Sequence, residues 1–278
     1  MAIDVPRSSL PAADLPIPER ESYSSLTTYE GCPRRYAFRY VERLPGEVPP
    51  SQFAFGSAIH KAFEVFARER IRARDGGAPE PGLDILQRAC DEVLARAGLE
   101  PDDLTSMQAA AGPVLERFLR REEASVSVPV AAELGFGVDV ALPADSGSFR
   151  FVGYVDRVDR APDGTTVITD YKTGRPRAQA EVNADRQLTA YAYAADRGAL
   201  HDPATGDAVT PASRLCFYFA DGTEVSTTRT AGDLDAFERD LVAMAMSARR
   251  REFAAQPAPW RCRWCEYRSA CGEAIGAP

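Results

Sequence analysis

The chain has 278 residues, 45% of them apolar and 27% charged, with a formal net charge of -8. That is the profile of a globular protein with ample core, long enough for one large domain or two small ones. The charge excludes a surface coated in basic residues, although a local basic groove can act within an acidic whole.

Residues 1–20 are Pro-rich and polar, with no apolar stretch behind a basic start, and read as a flexible arm rather than a secretory signal. Ser22 opens a Ser-rich cap, after which Leu26, Tyr29, Tyr36, Phe38 and Tyr40 recur through a helical segment. GSAIHKAFEVFARERIRA is a stronger helix, with Ile59, Phe63 and Phe66 on one face. The loop RDGGAPEPG leads to two further helices, LDILQRACDEVLARAGL and LTSMQAAAGPVLERFLRREEA. Pro113 should kink or restart the second of these. From about Val128 the period changes to two, and AAELGFGVDVAL, FRFVGYVDRVDRA and TTVITDYKTG read as strands. Helix returns at AEVNADRQLTAYAYAADRG. A hairpin, RLCFYFADGTEVSTTRT, and a long helix from about Asp233 to Phe253 complete the order. Helices, a meandering sheet and a returning helix indicate an α/β or α+β domain. No apolar run approaches the roughly 20 residues of a membrane span, so a cytoplasmic protein without a membrane partner is expected.

The chemistry centres on GYVDRVDRAPDGTTVITDYKTG. Asp170 and Lys172 are two apart on a strand and so share a face, and Asp156 joins them if the two strands are neighbours. Two carboxylates and an amine suit a hard, oxygen-ligated divalent ion, with the amine orienting a water or steadying a phosphate. Taken alone, D-x-K reads first as a solvated same-face ion pair on an exposed strand. Asp159 is offset to the face opposite Asp156 and reads as structural.

Four ordered motifs shift that balance: GSAIH with Gly56 and His60, GYVDR with Gly153 and Asp156, DYKTG with Asp170 and Lys172, and QLTAY with Gln187 and Tyr191. In this the chain resembles the RecB-type branch of the PD-(D/E)XK nucleases, which includes AddB-like proteins and CRISPR-adaptation exonucleases. The resemblance runs from about Ser22 to Cys271. It implies a restriction-endonuclease-like α/β core, a central mixed sheet flanked by helices, over residues 21–255. It further implies that Asp156, Asp170, His60 and the main-chain carbonyl of Tyr171 hold Mg²⁺ or Mn²⁺, while Lys172 assists the attacking water. Gln187 and Tyr191, one helical turn apart, would reach the site or the scissile phosphate. Glu133 matches an acidic residue that helps bind metal or DNA in some relatives. Without the other motifs, His60 and Tyr191 would read as core residues; Glu64 is only a neighbour of His60.

The tail, WRCRWCEYRSAC, carries three cysteines, an awkward number for a metal site. Relatives of the AddB type place one cysteine ahead of the nuclease core and three after it. The resemblance therefore implies that Cys32, Cys262, Cys265 and Cys271 hold a 4Fe–4S cluster, with zinc the alternative for four thiolates. Such a cluster would clip the C-terminal segment 256–278 onto the helical N-terminal part of the same domain, closing a loop of about 230 residues. Cys90 and Cys216 sit in apolar contexts and read as ordinary buried thiols.

The function implied is a metal-dependent DNA exonuclease of repair or recombination. The rivals are a CRISPR-adaptation exonuclease and an inactive DNA-binding module on the same fold. Arg34, Arg35, Arg39, Arg175 and Arg177 are candidate DNA contacts, with Tyr36 and Phe38 as candidate base-stacking residues, although aromatics so placed are more often core. The sequence has no G-x-x-x-x-G-K-[ST] motif, so any helicase would act in trans.

Overall fold

The computed structural model describes residues 15–46, 51–144, 146–209 and 212–276. In chain order the elements are β1 (Arg20–Glu21), α1 (Tyr23–Gly31), α2 (Pro33–Tyr36) running into a π-helical turn (Ala37–Val41), α3 (Ser51–Gly76), α4 (Leu83–Arg96) and α5 (Pro101–Ala124). There follow β2 (Val128–Ala141), β3 (Ser148–Arg160), β4 (Thr166–Lys172), α6 (Gln179–Asn183), α7 (Arg186–Asp196), β5 (Ala212–Phe219), β6 (Glu224–Thr227), α8 (Ala231–Arg249), α9 (Pro259–Cys262) and a 3₁₀ turn (Arg268–Ala270). Two compact units result: Met1–Pro49 with Gly137–Gly153 and Asp235–Pro278, and Pro50–Phe136 with Tyr154–Leu234. No described helix is long and apolar enough to cross a membrane.

The second unit is built on a mixed sheet. The C-terminal half of β3 pairs antiparallel with β4, β4 pairs parallel with β5, and β5 turns back antiparallel into β6. β4 is the buried centre, with Thr166 to Tyr171 all inaccessible, which is why TVITDY shows no polar alternation. The parallel β4–β5 step requires a crossover, and α6 and α7 supply it. The odd-numbered face of β4 presents Tyr171 to α3, α4 and α5, where it joins Phe63, Phe66, Leu86, Leu94, Leu115, Phe118 and Tyr218 in one apolar cluster. Phe63 stacks on Phe118 at 3.7 Å and meets Tyr171 edge-on at 4.9 Å. The opposite face carries Asp170 and meets α7. The sheet is thus flanked by helices on both faces.

Two helical expectations change. α5 continues unbroken through Pro113. Ala109 and Pro113 are both exposed, so water can meet the carbonyl that the missing N–H leaves unpaired. The stretch expected as one helix from Ala180 is two, because Asp185 caps a fresh start by accepting the Leu188 N–H at 3.0 Å. Arg229 binds the break, donating to the carbonyls of Val182 and Asp185 and to the Thr189 hydroxyl.

Behind the sheet lies a charged knot. Arg157 has no exposed surface, grips Asp159 through Nε and Nη2, and lies 3.0 Å from Glu122. Glu122 also receives Arg70 at 2.9 Å and Arg121 at 2.6 Å. Burial would raise the Glu122 pKa, but Arg157 and Arg121 more than offset it and hold the carboxyl below its ordinary value.

In the first unit, β1 pairs parallel with the N-terminal half of β3, Arg20 opposite Arg150 and Glu21 opposite Phe151. Of the arm expected over 1–20, residues 1–14 lie outside the described residues. Leu15 is buried, its carbonyl accepts from Arg251, and Arg20 is in a strand, so the stretch from Leu15 is held rather than free. Ser22 and Ser25 form a reciprocal capping box that starts α1. Pro33 forces the preceding Cys32 into extended backbone (φ -164, ψ 107), which ends α1 and sets the cysteine between two helices. Tyr36 and Phe38 are 0% and 4% exposed, packed on Phe253 and Tyr267 respectively. They are core residues, the commoner of the two readings, and the base-stacking alternative is corrected.

Candidate active site and cysteine cavity

The side chains of β4 and α7 close into a ring of polar contacts. Lys172 Nζ lies 2.5 Å from Asp170 Oδ2 and donates to Gln187 Oε1 at 2.7 Å. Gln187 Nε2 donates to the Tyr191 hydroxyl at 3.0 Å, and that hydroxyl donates to Asp170 Oδ1 at 2.8 Å. Burial, then the Asp170 and Asp156 carboxylates, keep the Tyr191 hydroxyl protonated and hence a donor. The one-turn spacing of Gln187 and Tyr191 lets one helix hold both a lysine and a carboxylate of one strand.

Asp156 enters from β3. The pairing of Arg157 with Thr169, continued one step, sets Asp156 opposite Asp170, and its Oδ2 accepts the Tyr171 N–H at 2.8 Å. Asp156 lies within β3, four residues before its end. Burial and then the Asp170 charge push its pKa up to about 8. From α3, His60 Nδ1 stands 3.4 Å from Asp156 Oδ2. Burial lowers the His60 pKa, so near neutrality the imidazole is uncharged, and its ring meets that of Tyr171 edge-on at 6.0 Å. Gly56, one turn earlier on α3, explains its place in GSAIH: a Cβ there would stand 3.3 Å from Thr173 Oγ1, directly after Lys172. Glu133 faces the same acidic group, its pKa raised by burial and then by Glu64. Asp159 points away, into the Arg157 knot.

Among the described residues no set of three or more His, Cys, Asp or Glu side chains stands arranged as it is to hold a metal ion. The chemistry of the donors nonetheless fits a hard divalent cation. Two carboxylates share a desolvated site, Asp170 Oδ2 is buried without a well-directed hydrogen bond, and a neutral imidazole adjoins them. A cation would relieve the repulsion that raises the Asp156 pKa.

In the other unit, Cys32, Cys262, Cys265 and Cys271 line one cavity with Arg34, Arg35, Arg261 and Arg268. All six cysteines are free thiols. The Gln256 N–H points at Cys32 Sγ at 3.5 Å. A backbone hydrogen bond at Ile275, with Arg268 and Arg261 beside it, lowers the Cys262 pKa, while burial raises that of Cys265. Four soft donors with N–H groups and guanidinium ions around them fit a thiolate-bound centre. Cys90 and Cys216 are buried elsewhere, their pKa values pushed up to about 11 by burial.

The candidate DNA-binding arginines are divided. Arg34 pairs with Glu42 at 3.4 Å, and Arg35 and Arg39 pair with Glu266 at 2.7 and 3.5 Å, all in the unit that holds the cysteine cavity. Arg177 pairs with Asp185 at 2.7 Å, and Arg175 is exposed in the loop after Lys172. Two residues escape the sequence pattern: Arg157, whose burial no local periodicity announces, and Tyr154, although it lies inside GYVDR.

A family description, the PD-(D/E)XK nuclease superfamily, matches residues 20–272, and the chain belongs to that superfamily. Among curated proteins it is similar to an ATP-dependent helicase/deoxyribonuclease subunit of Desulforamulus reducens, 29% identical over 56% of this chain and 16% of that protein. The match thus spans far less than two thirds of that relative's length. Among solved structures, one described as the crystal structure of SSO0001 aligns at a TM-score of 0.37 and 14% identity, over 81% of this chain and 97% of that one.

Proposed function

We propose that the protein is a RecB-type, Mg²⁺- or Mn²⁺-dependent exodeoxyribonuclease acting in DNA repair, with a structural 4Fe–4S cluster on Cys32, Cys262, Cys265 and Cys271. The observation that carries this reading is the ring joining Asp170, Lys172, Gln187 and Tyr191, with Asp156 across the strand pair. Asp156, Asp170, His60 and the Tyr171 carbonyl are the residues to hold the cation, which when bound supplies Lewis-acid polarisation of the phosphodiester and a more acidic water. Lys172, oriented by Gln187 and Asp170, holds the attacking water and offsets charge that develops on the phosphoryl oxygens. Tyr191 keeps Asp170 in one rotamer, so the carboxylate does not have to reorganise during the reaction. The similarity to a helicase/deoxyribonuclease component supports DNA as substrate and a helicase acting in trans.

The test is an anaerobic digest of end-labelled single- and double-stranded DNA with Mg²⁺, Mn²⁺ or EDTA. Stepwise shortening from an end that EDTA abolishes is expected. Intact substrate under every condition would leave the chain as a DNA-binding module on a nuclease fold.

A further inference from the structure

Tyr154 is 67% exposed, yet it sits inside β3 two residues before Asp156, so both side chains leave the same face of the strand. Its ring has a seat. A Cβ placed on Gly135 of β2 would come 3.2 Å from Tyr154 Cε1, 3.6 Å from Cδ1 and 3.8 Å from Cζ. Three ring atoms therefore rest over the glycine backbone, which any larger residue would obstruct, and the rest of the ring is left to solvent. Two residues before that glycine, Glu133 holds a left-handed φ of 51°, which a residue with a Cβ adopts only at a cost. Backbone strain of this kind clusters where surrounding structure serves a function. Here it lies in β2 beside both the acidic group and the tyrosine seat.

We propose that Tyr154 is a substrate-positioning residue that stacks on an unpaired base of the DNA strand, next to the phosphate presented to Asp156 and Asp170. This rests on the nuclease reading. An aromatic face held against a strand, exposed and in step with the reacting carboxylate, recognises the π-face that every base carries, so it selects an unstacked strand without selecting a sequence. Base-paired nucleotides cannot offer that face, so the residue would favour single strands or frayed ends.

The test begins with binding, read as the anisotropy of a labelled single-stranded oligonucleotide in EDTA. Tyr154→Ala should raise Kd roughly 5- to 150-fold, the range of base–aromatic stacking, and Tyr154→Phe should restore wild-type affinity. Oligonucleotides carrying one abasic position at a time should show one position where wild type loses affinity and Tyr154→Ala does not. In Mg²⁺ or Mn²⁺ the alanine variant should raise KM while kcat at saturation stays near wild type. Equal binding by Tyr154→Ala, or undiminished sensitivity to the same abasic position, overturns the stacking role even if cleavage proceeds. Tyr154-dependent binding by a wild-type protein that cuts nothing would instead sink the nuclease reading and leave the stacking role standing.

Discussion

The Tyr191 hydroxyl donates to Asp170 Oδ1 at 2.8 Å, so a helix residue fixes the rotamer of a carboxylate on the central strand. Tyr191→Phe keeps the ring in its buried place and removes only that bond. It should lower cleavage by about 10- to 100-fold, the usual cost of losing a partner that orients a metal-binding carboxylate. Thermal unfolding should shift little. Wild-type rates in the phenylalanine variant would detach Tyr191 from the chemistry.

Asp170→Ala and Lys172→Ala remove a proposed cation ligand and the amine 2.5 Å from it. Each should reduce cleavage by about 100- to 1,000-fold, since interactions with developing charge in a desolvated site are worth about 3–4 kcal/mol apiece. DNA binding in EDTA should survive. Retained nicking by either variant would remove that residue from the mechanism.

The buried Arg157 predicts a large stability effect without a catalytic one. Breaking the knot with Glu122→Gln leaves a guanidinium poorly compensated, and should cost about 3–5 kcal/mol in denaturant unfolding. The Glu122 pKa is lower folded than unfolded, so its contribution is present above the ordinary carboxylate pKa and is lost as pH falls through the folded value. Wild-type stability should therefore decline below about pH 4.5 more steeply than that of Glu122→Gln. Parallel pH profiles would contradict the assignment.

The thiols should fall into two classes. Cys90 and Cys216, with pKa values near 11, should alkylate slowly at pH 8 in the native protein. Protein purified without oxygen should be brown, with iron and sulfide in equal amounts. Serine at Cys32, Cys262, Cys265 or Cys271 should bleach it, whereas serine at Cys90 or Cys216 should not. A colourless protein with one zinc and no sulfide would replace the cluster and keep the four-cysteine site.

How far the sequence reached depended on the range of the interaction concerned. Asp170 and Lys172 share a face because of the period of one strand, and Gln187 and Tyr191 because of the pitch of one helix. Both relationships are written within five residues. The strands from Val128 to Lys172 were visible for the same reason. Pro113 does not restart the helix, because breaking it depends on whether the freed carbonyl meets water, which is a matter of exposure rather than of sequence. Tyr36 and Phe38 looked available as aromatics beside arginines, and only the packing of Phe253 and Tyr267 makes them core. Arg157 meets Glu122 from 35 positions away, and no periodicity encodes that meeting.

The cysteine cavity carries a consequence in time. Cys32 leaves the ribosome 230 residues before Cys262, with Asp156, Asp170 and Lys172 translated between them. Until then the first thiol waits without the others, and the cavity they line comes into being only after β3 and β4 have been translated. A truncated or stalled chain can contain Asp156, Asp170 and Lys172 and still lack the cavity. Filling it would then distinguish chains translated through Cys271 from shorter ones that carry Asp156, Asp170 and Lys172 without it.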